Sequence, residues 1–457
     1  VTQGLTYRRD PGGSLLLTDL YQLSMMQAYL EDGMTEIAVF EFFVRKLPKT
    51  RGFLLCAGLG QAVDFLESAR FAPDELEWLQ AQGSFSQSFL DYLEQFQFAG
   101  DVHALPEGTI FFPDEPILRV TAPLPVAQMV ESRLINIMQF QTLIASKAAR
   151  MVLAAPGKTL IDFGLRRAHG AEAGLLAARA AYLAGFDATA TVLAGQLFGI
   201  PTSGTMAHSF VQAHVSEEAA FESFARSRPD NAVLLIDTYD TEAAAHKVVA
   251  LAPGLAQDGI TLRGVRLDSG DMAELARRVR VILDRGGLEA VKIFASGGID
   301  EAALQGYQRS GAPIDGFGVG TSLTTSHDAP AFDCAYKMQE YAGLARRKRS
   351  EGKATWPGRK QVLRFYDDSG CIEHDILTLE DETTATDGLI KPAMVAGKRL
   401  SDLPSLEAAR TRARQELARL PEPLRSLKPD AGYPVEIARS VRDLADEVDR
   451  RTSSISN

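Results

Sequence analysis

Apolar positions along this chain fall into three successive rhythms, and each predicts a different kind of structure. Between residues 15 and 125 helical patches alternate with short strands. Leu20, Leu23, Met26 and Leu30 recur at helical spacing, with Ser24 and Gln27 between them and Thr18 as the expected N-cap. Residues 37–44 are almost wholly apolar and read as a strand, and residues 109–112 with 118–120 read as a hairpin-like pair. Pro123 and Pro125 then precede one long predicted helix over 126–154.

From Lys158 the rhythm changes to short apolar strands separated by alanine-rich helices. Strands are predicted at 159–163, 186–190, 200–203, 232–237, 261–267, 291–295 and 314–319, with helices such as 171–184 and 242–251 between them. This alternation means parallel βαβ units, and some seven strands in about 160 residues favour a barrel over an open sheet. After residue 341 the alternation stops. Residues 361–366 and 371–379 read as antiparallel strands able to rejoin the N-terminal region, and 406–420 and 435–448 as charged helices. The expected division is therefore 1–125, a barrel over 126–340, and 341–457.

Composition narrows the class. Hydrophobic residues are 46% and charged residues 23% of the 457, without low-complexity tracts, as in a soluble globular chain. No uncharged apolar run approaches the ~18 residues of a membrane span, and no secretory leader is apparent, so a cytoplasmic location is expected. A net charge of −11 disfavours nucleic acid as a partner. The three cysteines, Cys56, Cys334 and Cys371, are far apart and suggest neither disulfides nor zinc, hence a reducing compartment. The basic stretch 346–364 reads either as a solvated loop or as a receiver of a small ligand's anionic groups.

In such a barrel the C-terminal strand ends carry the chemistry, and here they are polar. They read Asp162-Phe163-Gly164-Leu165-Arg166-Arg167-Ala168-His169, Thr202-Ser203-Gly204-Thr205-Met206-Ala207-His208-Ser209, Asp237-Thr238-Tyr239-Asp240, Arg266-Leu267-Asp268-Ser269-Gly270-Asp271, Ser296-Gly297-Gly298 and Gly318-Val319-Gly320-Thr321. Any one of them alone is better read as a helix cap; six on one rim indicate a site. Gly297, Gly298 and Gly320 let backbone N–H groups approach a phosphate. Arg166, Arg167 and Arg266, with His169 and His208, expect an anionic substrate. Asp268 and Asp271 suit Mg²⁺, which favours a diphosphate leaving group. His208, in a Gly-Thr-x-x-His-Ser turn among hydroxyls, reads as catalytic rather than structural. Neither a Walker loop nor an opening G-x-G-x-x-G is present, which argues against P-loop kinases and Rossmann dehydrogenases.

The opening Thr18-Asp19-Leu20-Tyr21-Gln22-Leu23-Ser24-Met25, the segments 162–167, 202–209, 266–271, 296–300 and 317–321, Tyr336-Lys337, and the stretches 348–353 and 357–362 together resemble nicotinate phosphoribosyltransferases, in order, from about residue 15 to 400. The resemblance implies an irregular TIM-like α/β barrel plus a mixed α+β domain built from both ends of the chain. It implies a head-to-tail homodimer with shared active sites, nicotinate, phosphoribosyl pyrophosphate and ATP as substrates, and Mg²⁺ as cofactor. Phe163 and Tyr21 would sandwich the pyridine ring, Tyr21 coming from the neighbouring subunit. Arg266 and Thr205 would hold its carboxylate. Arg166 and Asp268 would meet phosphoribosyl pyrophosphate, with Gly298, Gly320 and Thr321 at its 5′-phosphate. His208 would be phosphorylated by ATP.

Three other readings fit the sequence less well. A nicotinamide-using relative would carry an acidic residue in Ala188-Thr189-Ala190-Thr191, where there is none, although Asp187 lies just before. A quinolinate-using relative would need more basic residues for two carboxylates. A non-catalytic ligand-binding barrel fits poorly with intact His208, Arg266 and Asp268.

Overall fold

The computed structural model describes residues 11–382, 388–401, 403–429 and 432–455. The chain divides into a terminal unit, Val1–Leu143 with Ala331–Asn457, and a central unit, Ile144–Pro330.

The N-terminal part of the terminal unit supplies β1 (Ile37–Lys46), β2 (Leu54–Leu55), β3 (Asp101–Ala104), β4 (Ile110–Phe111) and β5 (Pro116–Pro123). The expected hairpin does not form: β4 pairs with β2, whereas β5 lies between β1 and β3. β5 is buried over most of its length, so it takes a central position with a neighbour on each side, and a turn through Asp114 at φ 67° separates it from β4. The first helix is Leu20–Glu31, and its cap position is held by Asp19 rather than Thr18. Asp19 accepts instead from the Ser132 hydroxyl, at 2.6 Å. The long helix predicted over 126–154 is two helices, Leu124–Met129 and Glu131–Ala154, separated at Val130.

The central unit holds β6 (Thr159–Asp162), β7 (Ala188–Thr189), β8 (Ala232–Leu235), β9 (Leu262–Leu267), β10 (Lys292–Ser296) and β11 (Gly316–Val319). They form one sheet in the order β7-β6-β11-β10-β9-β8, parallel throughout. This is the irregular barrel of the sequence reading, a curled sheet whose ends β7 and β8 are not joined. The strand predicted at 200–203 is reduced to a single bridge, Thr189 to Thr202. Its neighbour β7 is only two residues long, which leaves no ladder to extend. The helix predicted at 171–184 is Ala171–Ala184, and the one predicted at 242–251 runs from Thr241 to Gln257, through Pro253.

The C-terminal part returns to the terminal unit with β12 (Asp333–Tyr341), β13 (Leu344–Ala345), β14 (Lys360–Tyr366), β15 (Ile372–Leu379), β16 (Lys391–Val395), β17 (Lys398–Arg399) and β18 (Val435–Ile437). The seven-stranded antiparallel sheet β13-β12-β1-β5-β3-β16-β17 is thus built from both ends of the chain. Because β12 completes that sheet, the central unit ends at Pro330, short of the expected boundary at 340. The strands foreseen at 361–366 and 371–379 do pair antiparallel, as β14 and β15, but in a separate sheet with β18. Residues 435–437 are therefore strand, and the last helix is Arg439–Ile455.

The basic stretch 346–364 follows neither expectation throughout. Lys360 is buried 2.7 Å from Glu41, and Arg364 is buried between Asp375 at 2.7 Å and Glu416 at 2.8 Å. Arg359 pairs with Glu340, and Arg347 and Arg349 approach Asp449. Charges that looked available for a ligand hold the terminal unit together.

Candidate active site

The site grows from the C-terminal ends of the parallel strands of the central unit. β6 ends on Asp162, which is buried and accepts from the Gly164 N–H at 2.8 Å and the Thr189 hydroxyl at 2.7 Å. Burial pushes its carboxyl above the usual carboxylate range, while those two bonds oppose the rise. The bonds turn the chain so that Phe163 packs over the end of β11. Gly318 is obligatory beneath it, because a Cβ there would meet the ring at 2.4 Å.

β9 delivers Arg266. Its Nη2 donates to the Met206 carbonyl at 2.6 Å and its Nη1 to Ser296 Oγ at 3.4 Å. The guanidinium carbon is 5.8 Å from the centre of the Phe163 ring, within cation–π range. Burial lowers its pKa from the usual value, and Asp268 and Asp237 oppose that. Its Nε is buried with no hydrogen-bond partner, an uncommon cost in a folded protein. Through Met206 the same side chain ties β9 to the turn that presents His208.

His208 opens the short helix His208–Gln212. Its Nδ1 stands 3.2 Å from Thr238 Oγ1, and its Nε2 faces Asp268 Oδ2 at 3.8 Å and Asp237 Oδ1 at 3.9 Å. Asp237 is almost fully enclosed: Oδ2 accepts from the Asp268 N–H at 3.0 Å and the Ser269 hydroxyl at 2.6 Å, while Oδ1 has no hydrogen-bond partner. Ser296 donates to the other oxygen of Asp268.

Phe163, Arg166, Thr205, His208, Arg266 and Asp268 line one cavity of about 730 Å³. An inner recess opens beside Phe163, Thr205, Arg266 and Gly318, with Ile161, Val233 and Phe294 as apolar walls. The remaining candidates lie around it rather than in its lining. Arg167 and His169 are exposed on the turn after β6. Gly297 and Gly298 form a turn at φ 89° and 64°, and a Cβ at Gly297 would strike the Asp268 carbonyl at 2.3 Å. Gly320 precedes Thr321, the first residue of the helix Thr321–Thr324. A second cleft, of about 480 Å³ in the terminal unit, includes none of the predicted site residues.

Asp271 is a cap: it accepts from the Glu274 N–H at 3.1 Å and starts the helix Met272–Arg285. Asp240 and Asp300 cap the next helices after β8 and β10 in the same way. Among the described residues no group of three or more His, Cys, Asp or Glu side chains forms a metal site. Asp268 is the acidic residue that lines the cavity, and Asp237 is enclosed beside it, with Oδ1 3.9 Å from His208 Nε2. Asp237 had no assigned role in the sequence reading, and its signal was its place directly after the apolar run of β8. Asp268 is the carboxylate that could meet Mg²⁺ carried in by a diphosphate, since that ion takes only one or two protein carboxylates beside phosphate oxygens.

Tyr21 belongs to the terminal unit, where it is half-exposed on the first helix with its hydroxyl 3.5 Å from Glu131. Gln22 and Gln128 donate to the same carboxylate oxygen at 3.0 and 2.7 Å. All three cysteines are free. Burial pushes the Cys56 thiol far up and that of Cys334 up to about 11, so neither is a nucleophile at neutral pH.

A family model described as nicotinate phosphoribosyltransferase N-terminal domain matches residues 16–139, and one described as the nicotinate phosphoribosyltransferase family matches residues 159–344. The chain is 48% identical over 428 residues to nicotinate phosphoribosyltransferase pncB2 of Mycobacterium tuberculosis, covering 93% of this chain and 92% of the relative. It is 40% identical over 376 residues to the Bacillus subtilis nicotinate phosphoribosyltransferase, covering 80% and 76%. The crystal structure of human nicotinic acid phosphoribosyltransferase superposes with a TM-score of 0.85 at 29% identity, covering 94% of this chain and 100% of that one.

Proposed function

We infer, since this chain belongs to the nicotinate phosphoribosyltransferase family, that it joins nicotinate to C1 of phosphoribosyl pyrophosphate, releasing nicotinate mononucleotide and pyrophosphate for NAD biosynthesis. The observation that carries the substrate choice is the inner recess. It offers apolar walls and an aromatic face to a flat ring, and the Arg266 guanidinium to one carboxylate. Stacking on Phe163 and pairing with Arg266, with Thr205 alongside, hold nicotinate by its two distinguishing features.

Phosphoribosyl pyrophosphate fills the wider cavity. Arg166 and Asp268 meet its diphosphate end, and the Gly297-Gly298 and Gly320-Thr321 turns offer backbone N–H groups to its 5′-phosphate. Asp268 would hold Mg²⁺ brought by that substrate, which would supply positive charge to the leaving diphosphate. As the C1–O bond breaks, positive charge builds on the ribose and negative charge on the leaving diphosphate, which the arginine and the substrate's cation neutralise. The ring nitrogen of nicotinate then attacks C1.

ATP is the second phosphate source in this reading: His208 accepts its γ-phosphoryl group as ADP leaves, and hydrolysis of the phosphohistidine releases phosphate and restores the imidazole. A phosphoryl group on Nε2 would face two carboxylates, which makes the charge state of the histidine felt where the diphosphate binds. The active form is a homodimer in which Tyr21 of one chain completes the ring sandwich of the other, working among cytoplasmic phosphorylated metabolites. Nicotinamide is disfavoured because the end of β7 offers no acidic side chain. Asp187 accepts from the Leu160 N–H at 2.9 Å instead.

One assay tests the whole reading: nicotinate, nicotinamide and quinolinate offered in parallel with phosphoribosyl pyrophosphate and Mg²⁺, with and without ATP. Mononucleotide should form from nicotinate alone, faster with ATP. Product from another acceptor, or none from nicotinate, overturns it.

A further inference from the structure

Outside the cavity, the central unit contains a closed ring of four charges. Lys147, on the helix Glu131–Ala154, is fully buried. Its Nζ donates to Glu301 Oε2 at 2.8 Å and to Asp328 Oδ1 at 2.7 Å. Arg150, one turn further along the helix, reaches Glu301 Oε1 at 3.2 Å and Asp328 Oδ2 at 3.3 Å. Two cations on one helix therefore bridge two carboxylates on separate segments. None of the four lines the cavity.

Those two segments are the continuations of the two phosphate turns. Glu301 is the first residue of the helix Glu301–Arg309, directly after Ser296-Gly297-Gly298-Ile299-Asp300. Asp328 follows Gly320-Thr321 and the short helix Thr321–Thr324. It sits in a tight turn: the Ser326 N–H donates to the Leu323 carbonyl at 3.0 Å, the Ala329 N–H to the Ser326 carbonyl at 2.8 Å, and Ser326 Oγ to the Ala329 carbonyl at 2.9 Å. Movement of either carboxylate thus carries the adjacent phosphate turn with it. The strands in front of the turns, β10 and β11, are paired neighbours, so the ring closes the arrangement from behind.

A buried ion pair adds little stability compared with apolar packing, since desolvation offsets most of the attraction. What a closed ring does provide is geometry, because each charge is held by two partners in different elements. We propose that Lys147 is a positioning residue for phosphoribosyl recognition: with Arg150 it fixes the separation of the Gly297-Gly298 and Gly320-Thr321 turns, and so tunes affinity for a ribose 5′-phosphate without touching it. This rests on the phosphoribosyl-transfer reading and deepens it at the 5′-phosphate end.

The two ends of the substrate separate the effect. Calorimetric titration of wild type and Lys147→Met with ribose 5-phosphate and with magnesium pyrophosphate should show about tenfold weaker binding of the first and a change within about twofold for the second. In turnover, the KM for phosphoribosyl pyrophosphate should rise while that for nicotinate stays constant. Asp328→Asn, which is partly exposed and releases only one turn, is the second variant; a smaller loss confined to ribose 5-phosphate is expected, and it decides the matter if Lys147→Met does not fold. Unchanged ribose 5-phosphate affinity in a folded variant, or equal losses for both ligands, overturns the proposal. Wild type that binds neither ligand sinks the underlying reading instead.

Discussion

Thr238 Oγ1 stands 3.2 Å from His208 Nδ1, a contact that occupies one of the two ring nitrogens. With Nδ1 held by the hydroxyl, Nε2 is directed between Asp237 and Asp268. Thr238→Val preserves the shape and removes the contact. A hydrogen bond of this kind is worth ~0.5–1.5 kcal/mol, so ATP-stimulated transfer should fall by up to about tenfold. ATP-independent transfer should change little, and equal losses in the two rates would show that Thr238 does not act through His208.

Arg266→Ala addresses the carboxylate. The variant loses the guanidinium charge and its bond to the Met206 carbonyl. Truncating one partner of a buried charge pair costs ~2–5 kcal/mol, so kcat/KM for nicotinate should drop by roughly two orders of magnitude or more. Wild-type kinetics in this variant would remove Arg266 from the anchoring role.

Gly318→Ala places a methyl where the Phe163 ring lies, 2.4 Å away. Ring and strand cannot both stay. Overpacking of this sort costs ~1–3 kcal/mol, and the displaced ring should raise the KM for nicotinate more than that for phosphoribosyl pyrophosphate. Steady-state kinetics with each substrate varied in turn would check the asymmetry.

The rim was legible in the sequence as a set of polar strand ends, but its internal division of labour was not. Asp237-Thr238-Tyr239-Asp240 and Asp268-Ser269-Gly270-Asp271 have the same outline, an aspartate at each end. In the fold the first follows a strand, Asp268 lining the cavity and Asp237 enclosed beside it, and the fourth caps the next helix. That distinction depends on where the strand stops, which periodicity gives only to within a few residues. The Gly297-Gly298 turn was readable as a turn, because both residues take a positive φ that favours glycine. Lys147 was not, since a lysine in a helix looks solvated until its distant partners are known. The terminal unit was read least well. β5 and β12 pair with β1 across long sequence separations, and no local pattern encodes such a choice.

Glu115 in the terminal unit provides a pH test of stability. It is fully buried, and burial and the neighbouring Asp375 hold its carboxyl well above the usual range, with Arg364 opposing. A folded pKa above the unfolded one gives a contribution complete below the unfolded value, which is lost as pH rises toward the folded one. Glu115→Gln keeps an acceptor for the Phe112 N–H and cannot ionise. Its stability relative to wild type should therefore increase with pH above about 4.5, by up to ~1.4 kcal/mol per unit until the folded pKa is passed. Denaturant melts at several pH values would reveal it; a constant difference would mean that Glu115 titrates alike in both states.

His208 carries the most diagnostic prediction. A neutral imidazole is a competent nucleophile toward a γ-phosphate once its charge is screened, and Nε2 is the nitrogen left accessible by Thr238. Wild-type protein incubated with labelled ATP should give an acid-labile, base-stable phosphoenzyme, and His208→Ala should give none. The variant should lose ATP stimulation while keeping slow transfer, because Arg166, Arg266 and the phosphate turns remain. His169 is the control: it is exposed on the turn after β6 and outside the cavity lining, so its alanine variant should still be labelled. Since Nε2 faces Asp237 and Asp268, Asp237→Asn should alter the lifetime of the label without moving it to another residue. Undiminished labelling in His208→Ala would place the phosphoryl acceptor elsewhere and leave the transferase reading to stand on Arg266 and the recess.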